Sequence, residues 1–140
     1  MKRRPMFLTP MLLAVILSPL LMPGASQPTP SALVGKWTGR VSSRNYASFD
    51  VTIDIGADSK AHLVGAGSPC FTEADLVVTT SGSNAFTLAG SSKAGESITF
   101  KGTVDSSGKQ LDLTYIANGS ASARCETDQG AGTLEKLEKR

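Results

Sequence analysis

Apolar residues recur at every second position along much of this chain. Phe49, Val51, Ile53 and Ile55 alternate with Asp50, Thr52 and Asp54. Ile98, Phe100, Gly102 and Val104 alternate with Thr99, Lys101 and Thr103, and Leu111, Leu113 and Tyr115 alternate with Gln110, Asp112 and Thr114. A period of two places alternate side chains on opposite faces of a strand, one buried and one wet. Less regular segments at 33–41, 60–65, 74–79, 85–89 and 130–136 read as further strands. Gly, Ser, Asn and Asp cluster between them at 56–59, 81–84, 94–95 and 105–108, where hairpin turns are expected. No stretch of ten or more residues carries a helical period. The pattern predicts an all-β domain: an antiparallel up-and-down meander of about eight strands. Closing the meander into a barrel removes its exposed edges. A two-sheet β-sandwich is the competing architecture.

The first 26 residues break this pattern. Lys2-Arg3-Arg4 precede an apolar run from Met11 to Leu17 that continues through Leu20-Leu21-Met22 and ends at Gly24-Ala25-Ser26. A basic start, a short apolar core and a small-residue exit are the parts of a secretory signal peptide. A membrane-spanning helix needs about 20 apolar residues, and Pro10, Pro19 and Pro23 interrupt this stretch. Residues 1–26 are therefore expected to be a cleaved signal peptide. Residues 27–32 read as a flexible arm and 33–140 as the barrel domain. The expected location is the periplasm or the exterior of a bacterial cell.

Cleavage changes the charge. The full chain has 14 basic and 12 acidic residues, formally +2. Without Lys2, Arg3 and Arg4 the basic count falls to 11 and the mature charge to −1. No cluster of basic residues interleaved with aromatics remains, so neither nucleic acid nor a membrane is an expected partner of the mature form.

Gly35-Lys36-Trp37 opens the first strand of the mature domain. This resembles the Gly-x-Trp start of lipocalins and avidins, the calycin-type barrels. It is also similar to small secreted bacterial proteins that begin Gly-x-Trp-x-Gly and end Gly-x-Leu; here these are 35–39 and 132–134. The resemblance implies that Trp37 plugs one end of the barrel, flanked by Gly35, with a basic residue of the last strand, Lys136, packed over it.

Cys70 and Cys125 are the only cysteines. In an exported protein two cysteines suggest one disulfide, closing a loop of about 55 residues. His62 is the only histidine. Without a matched constellation it reads as a partly exposed strand residue, and a triad of Ser68, His62 and Asp75 lacks the Gly-x-Ser-x-Gly elbow. Glu126-Thr127-Asp128-Gln129-Gly130 lacks the ligand spacing of a calcium loop and reads as a solvated turn. No metal, cofactor or catalytic group is expected, and the chain does not read as an enzyme. Two functions fit. One is a non-enzymatic binding module for a small apolar ligand, lined by Phe49, Phe86, Phe100 and Tyr115. In the bland alternative these residues simply fill an eight-stranded interior. The other function is an exported protein-interaction domain, such as an inhibitor of a protease or lysozyme, with residues 27–31 as an arm.

Overall fold

The computed structural model describes residues 29–66, 68, 71–119 and 126–138. The expected signal peptide and both cysteines lie outside these residues. Eight strands follow one another: β1 (Gly35–Val41), β2 (Phe49–Ile55), β3 (Lys60–Ala66), β4 (Glu73–Ser81), β5 (Ala85–Ser92), β6 (Ser97–Val104), β7 (Gln110–Asn118) and β8 (Asp128–Lys136). Each pairs antiparallel with the next, and β8 returns to β1, closing an up-and-down barrel. Closure satisfies both edges of the sheet and rules out the sandwich.

The alternation read from the sequence becomes the inside and outside of this barrel. Val51, Ile53 and Ile55 on β2 are buried, as are Ile98 and Phe100 on β6 and Leu111, Leu113 and Tyr115 on β7. Asp50, Asp54, Lys101, Asp112 and Thr114 face solvent. Burying a Leu, Ile or Phe side chain contributes about 1.5–3 kcal/mol relative to leaving it in water, so a one-residue slip of any strand would be costly. Several inward positions must lack a side chain, and Gly90 and Gly130 are the tightest. A Cβ on Gly90 would overlap the carbonyl oxygen of Asp75, and one on Gly130 would overlap that of Ser42. Glycine there lets neighbouring strands close at the curvature the barrel requires.

The expected turns fall where the glycines do. Gly82, Gly95 and Gly108 adopt positive φ, as does Ser59 at 64°. Asp105 closes the β6–β7 turn by accepting from Ser107 Oγ and from the backbone N–H of Lys109 and Gln110.

The up-and-down order sorts the connections between two ends. At the proximal end, where β1 begins and β8 finishes, lie the tight turns 56–59, 82–84 and 105–109. At the distal end lie 42–48, 67–72, 93–96 and 119–127. Three of these four distal connections are longer than any proximal turn.

Candidate functional site

The proximal end is closed by the chain itself. Strand β1 begins at Gly35, two residues later than the sequence pattern suggested, and Leu33 sits in a turn yet is 2% exposed. Trp37 is fully buried, and its indole N–H donates to Leu33 O at 2.9 Å. Lys136 places Nζ 4.9 Å from the centre of the Trp37 ring, and the same ammonium donates to Ala32 O at 3.1 Å. A cation over an indole face is attracted by the ring quadrupole. Gly35, with φ of 138°, leaves room for the Lys136 stem, because a Cβ there would stand 3.2 Å from Lys136 Cε. Within the segment read as a flexible arm, Thr29 is buried and docks on the turn 56–59. Its Oγ1 accepts from Ser59 N at 3.0 Å and its N–H donates to Ala57 O.

The distal end is built differently. Phe49, Phe71 and Tyr115 form a ring of three edge-to-face contacts, with centroids 5.6, 6.0 and 6.1 Å apart. Phe100 packs beneath Tyr115 at 5.8 Å. Such pairs contribute about 0.5–1.5 kcal/mol beyond their area. Phe71 comes from the β3–β4 connection, so a loop residue completes the layer. Of the four aromatics expected to line a ligand cavity, Phe49, Phe100 and Tyr115 therefore pack on one another. Phe86, also buried, sits at the proximal end of β5.

Two buried carboxylates rim this layer, and the sequence pattern singled out neither. Asp128, within the stretch read as a solvated turn, is 3% exposed and opens β8 facing inward. It accepts from Ser43 Oγ at 2.6 Å, Tyr115 Oη at 2.8 Å, and the backbone N–H of Arg44 and Asn45 at 3.1 Å each. Burial opposes its ionisation, but these donors outweigh burial and hold the carboxyl below its ordinary range. Asp128 thereby latches the 42–48 connection to the start of β8, helped by Asn45 Nδ2, which donates to Thr127 O. The stretch looks like a solvated turn because three of these donors, Ser43, Arg44 and Asn45, lie more than 80 residues away, and no local pattern carries them.

Glu96 is 1% exposed and shares the inward parity of Ile98 and Phe100. Its backbone N–H donates to Ser92 Oγ at 3.2 Å. Its carboxylate has one long contact, from Ser92 Oγ to Oε1 at 3.4 Å. Burial pushes the Glu96 carboxyl up, and the Ser92 contact only partly opposes it.

On the outer wall, His62 does have a carboxylate constellation, contrary to the reading from spacing. Its cross-strand neighbour is Asp75. Nδ1 lies 2.8 Å from Asp75 Oδ1, and Nε2 lies 2.8 Å from Glu73 Oε1. The Asp75 hydrogen bond raises the His62 pKa; slight burial opposes it, and the Glu73 charge reinforces it. Both ring nitrogens donate in this arrangement, so the charged imidazolium is favoured and neither nitrogen is a free base. Ser68 is buried, and its Oγ accepts from Phe71 N at 3.2 Å. The structure thus unites His62 with Asp75 but leaves the ring no nitrogen to offer a serine. A depression of about 240 Å³ beside this cluster is lined also by Ser91, Ser92 and Lys93. Among the described residues no cluster of His, Cys, Asp and Glu could hold a metal ion.

Neither the protein-family models nor the curated proteins compared with this chain match it.

Proposed function

We propose that this protein is an exported, non-enzymatic binding module on a calycin-like barrel, and that recognition takes place at its distal mouth. The unlikeness of the two ends carries the reading. The proximal end has tight turns, a docked N-terminal segment and Trp37 under Lys136. The distal end has long connections, a buried aromatic layer and a polar rim latched by Asp128. Loops held by a rigid scaffold are where binding residues concentrate. The mutual packing of Phe49, Phe71, Phe100 and Tyr115, all buried, supports a ligand held by the distal connections rather than one deep within the barrel. With both ring nitrogens of His62 tied to carboxylates, the lone histidine is poorly placed for general base work, which supports the non-enzymatic reading.

The packed interior also favours a second occupant of the same mouth, an exported hydrolase held by the distal loops. Thr29 is bonded at the opposite end, so in this reading the loops, rather than an N-terminal arm, make the contact. Native mass spectrometry of the protein purified from its own periplasm separates the two, since a small-molecule adduct and a protein complex differ in mass. Either species should be lost in Tyr46→Ala, in the 42–48 connection, and retained in Leu137→Ser, whose side chain is exposed at the proximal end. Retention in Tyr46→Ala together with loss in Leu137→Ser would move recognition to the other end and overturn the proposal.

A further inference from the structure

The outer wall of the barrel is charged on one side and plain on the other. On β1 to β4 outward charges answer one another across the ladder: Arg40 pairs with Asp50, and His62 lies between Glu73 and Asp75. Strand β5 holds no charged residue, and β6 and β7 hold one each, Lys101 and Asp112. Both are exposed, and among the described residues neither has an ion-pair partner. Lys101 faces Thr114 across the ladder, and Asp112 is the next outward position along β7. The two opposite charges are thus diagonal neighbours.

Beside them the wall is sunken. A hollow of about 510 Å³ lies over β6, β7 and β8, lined by Gly102, Ala131 and Gly132 together with Lys101, Asp112 and two threonines. A Cβ on Gly102 would overlap the carbonyl oxygen of Asp112, and one on Gly132 that of Arg40, so the strands draw in at these positions. The threonines spend their hydroxyl hydrogens within the wall. Thr114 Oγ1 donates to Lys101 O at 3.5 Å, and Thr133 Oγ1 donates to Asp112 Oδ1 at 2.8 Å. Ile116, one outward position beyond Thr114 on β7, is 51% exposed. An exposed isoleucine alone is ordinary. Here it stands beside a hollow and both halves of an unmade ion pair.

We propose that this wall is the contact surface of a homodimer, with a second copy of this chain as its occupant. A two-fold interface uses the same patch on both copies, so the patch must complement itself. This one does so in charge and in shape. A two-fold axis in the contact plane, crossing the line from Lys101 to Asp112 at its midpoint and at a right angle, exchanges the two positions. Each lysine then faces the aspartate of the other copy, and the ion pair forms twice. Strands lie about 4.8 Å apart, and outward positions about 6.7 Å apart along each strand. On that grid the same operation carries Ile116 toward Ala131 and Thr133 of the other copy, at its hollow. A partner of one charge sign would instead meet Lys101 or Asp112 as a like charge. The contact uses the wall alone, so the distal connections of both copies stay uncovered and the pair presents two recognition ends.

Sedimentation velocity of the mature protein, run from micromolar to millimolar concentration, should show a monomer–dimer equilibrium. Lys101→Glu and Asp112→Lys each set like charges against one another at two points. Each alone should weaken dimerisation about tenfold or more. An equimolar mixture of these two variants should regain the dimer, because each offers the charge that the other lacks. The double variant carrying both changes in one chain should regain it too. Ile116→Ser, which alters no charge, should also weaken pairing. All three positions are exposed, so melting temperatures measured at low concentration, where the monomer dominates, should match the parent and confirm folding. A parent protein that stays monomeric at millimolar concentration would overturn the pairing. So would a dimer indifferent to both charge reversals, or a mixture that fails to regain it. Recognition by the distal connections is tested separately, by the mass-spectrometric comparison, and does not depend on this outcome.

Discussion

At the scale of single residues, the two ends show what local sequence conveys and what it does not. The Gly-x-Trp tripeptide is contiguous, so the sequence by itself marks Trp37 as a special position. Asp128 and Glu96 are buried by contacts with Ser43, Tyr115 and Ser92, and their neighbours in sequence are polar, so both resemble surface residues. Deleting most of a buried Trp typically costs about 3–5 kcal/mol. Trp37→Ala also removes the face beneath Lys136 and the N–H that holds Leu33 O. Denaturant unfolding should show a loss of that size or an unfolded protein, whether or not ligand is present. Wild-type stability would show that Trp37 is not a structural plug. The titrating groups act in opposite pH windows. The His62 pKa is raised, so its contribution is complete below the unfolded value and fades as pH rises through the higher folded value. The Asp128 pKa is lowered, so its contribution is present above the unfolded value and is lost as pH falls through the lower folded value. Proton resonances of the His62 ring should titrate above the ordinary histidine range, and Asp75→Asn should bring the midpoint down. A midpoint unchanged by Asp75→Asn would show that the pair is absent in solution.

At the scale of elements, β2, β6 and β7 were legible from a clear period of two, which records one wet and one dry face locally, and the other five from less regular segments set off by turn residues. Boundaries were less so. Strand β5 extends to Ser92 and β7 to Asn118, beyond the residues whose alternation is clearest, because ladder pairing with β4 and β6 continues past the apolar run. The cysteines belong to this scale. Cys70 lies in the β3–β4 connection and Cys125 in the β7–β8 connection, and strand order brings both connections to the distal end. A bond between them would tie together two non-adjacent hairpins at the candidate mouth. In the chain-entropy account a loop of about 55 residues contributes about 4 kcal/mol, a large share of the stability of a small domain. Cys70→Ser should lower the melting temperature, and adding Cys125→Ser should lower it little further. The bonded Cα atoms should lie about 4.4–6.8 Å apart. Two thiols reactive toward a maleimide in native periplasmic protein would contradict the pairing.

At the scale of the whole molecule, closure was the inference that alternation alone could not complete. Periodicity gives strands and turns give hairpins, but the pairing of β8 with β1 joins residues about 100 positions apart, as in Trp37 with Lys136. Avoidance of open edges was the physical reason to expect it. The same pairing sets where the N-terminal segment leaves the barrel. Thr29 is the first described residue, and it is already bonded to the turn 56–59. The expected cleavage point, at Ala25 or Ser26, precedes it by three or four residues, so removing 1–26 deletes no described contact of the barrel. A chain expressed without residues 1–26 should therefore melt at the temperature of the protein recovered from the periplasm. Isoelectric focusing should also find the exported protein more acidic than the full chain, whose isoelectric point is about 8.6, because three basic residues and no acidic one depart. N-terminal sequencing of the exported protein should begin at Ser26 or Gln27. An intact Met1 in the membrane fraction would show that the apolar run is retained as an anchor, and the binding module would then act at a membrane surface instead of in free solution.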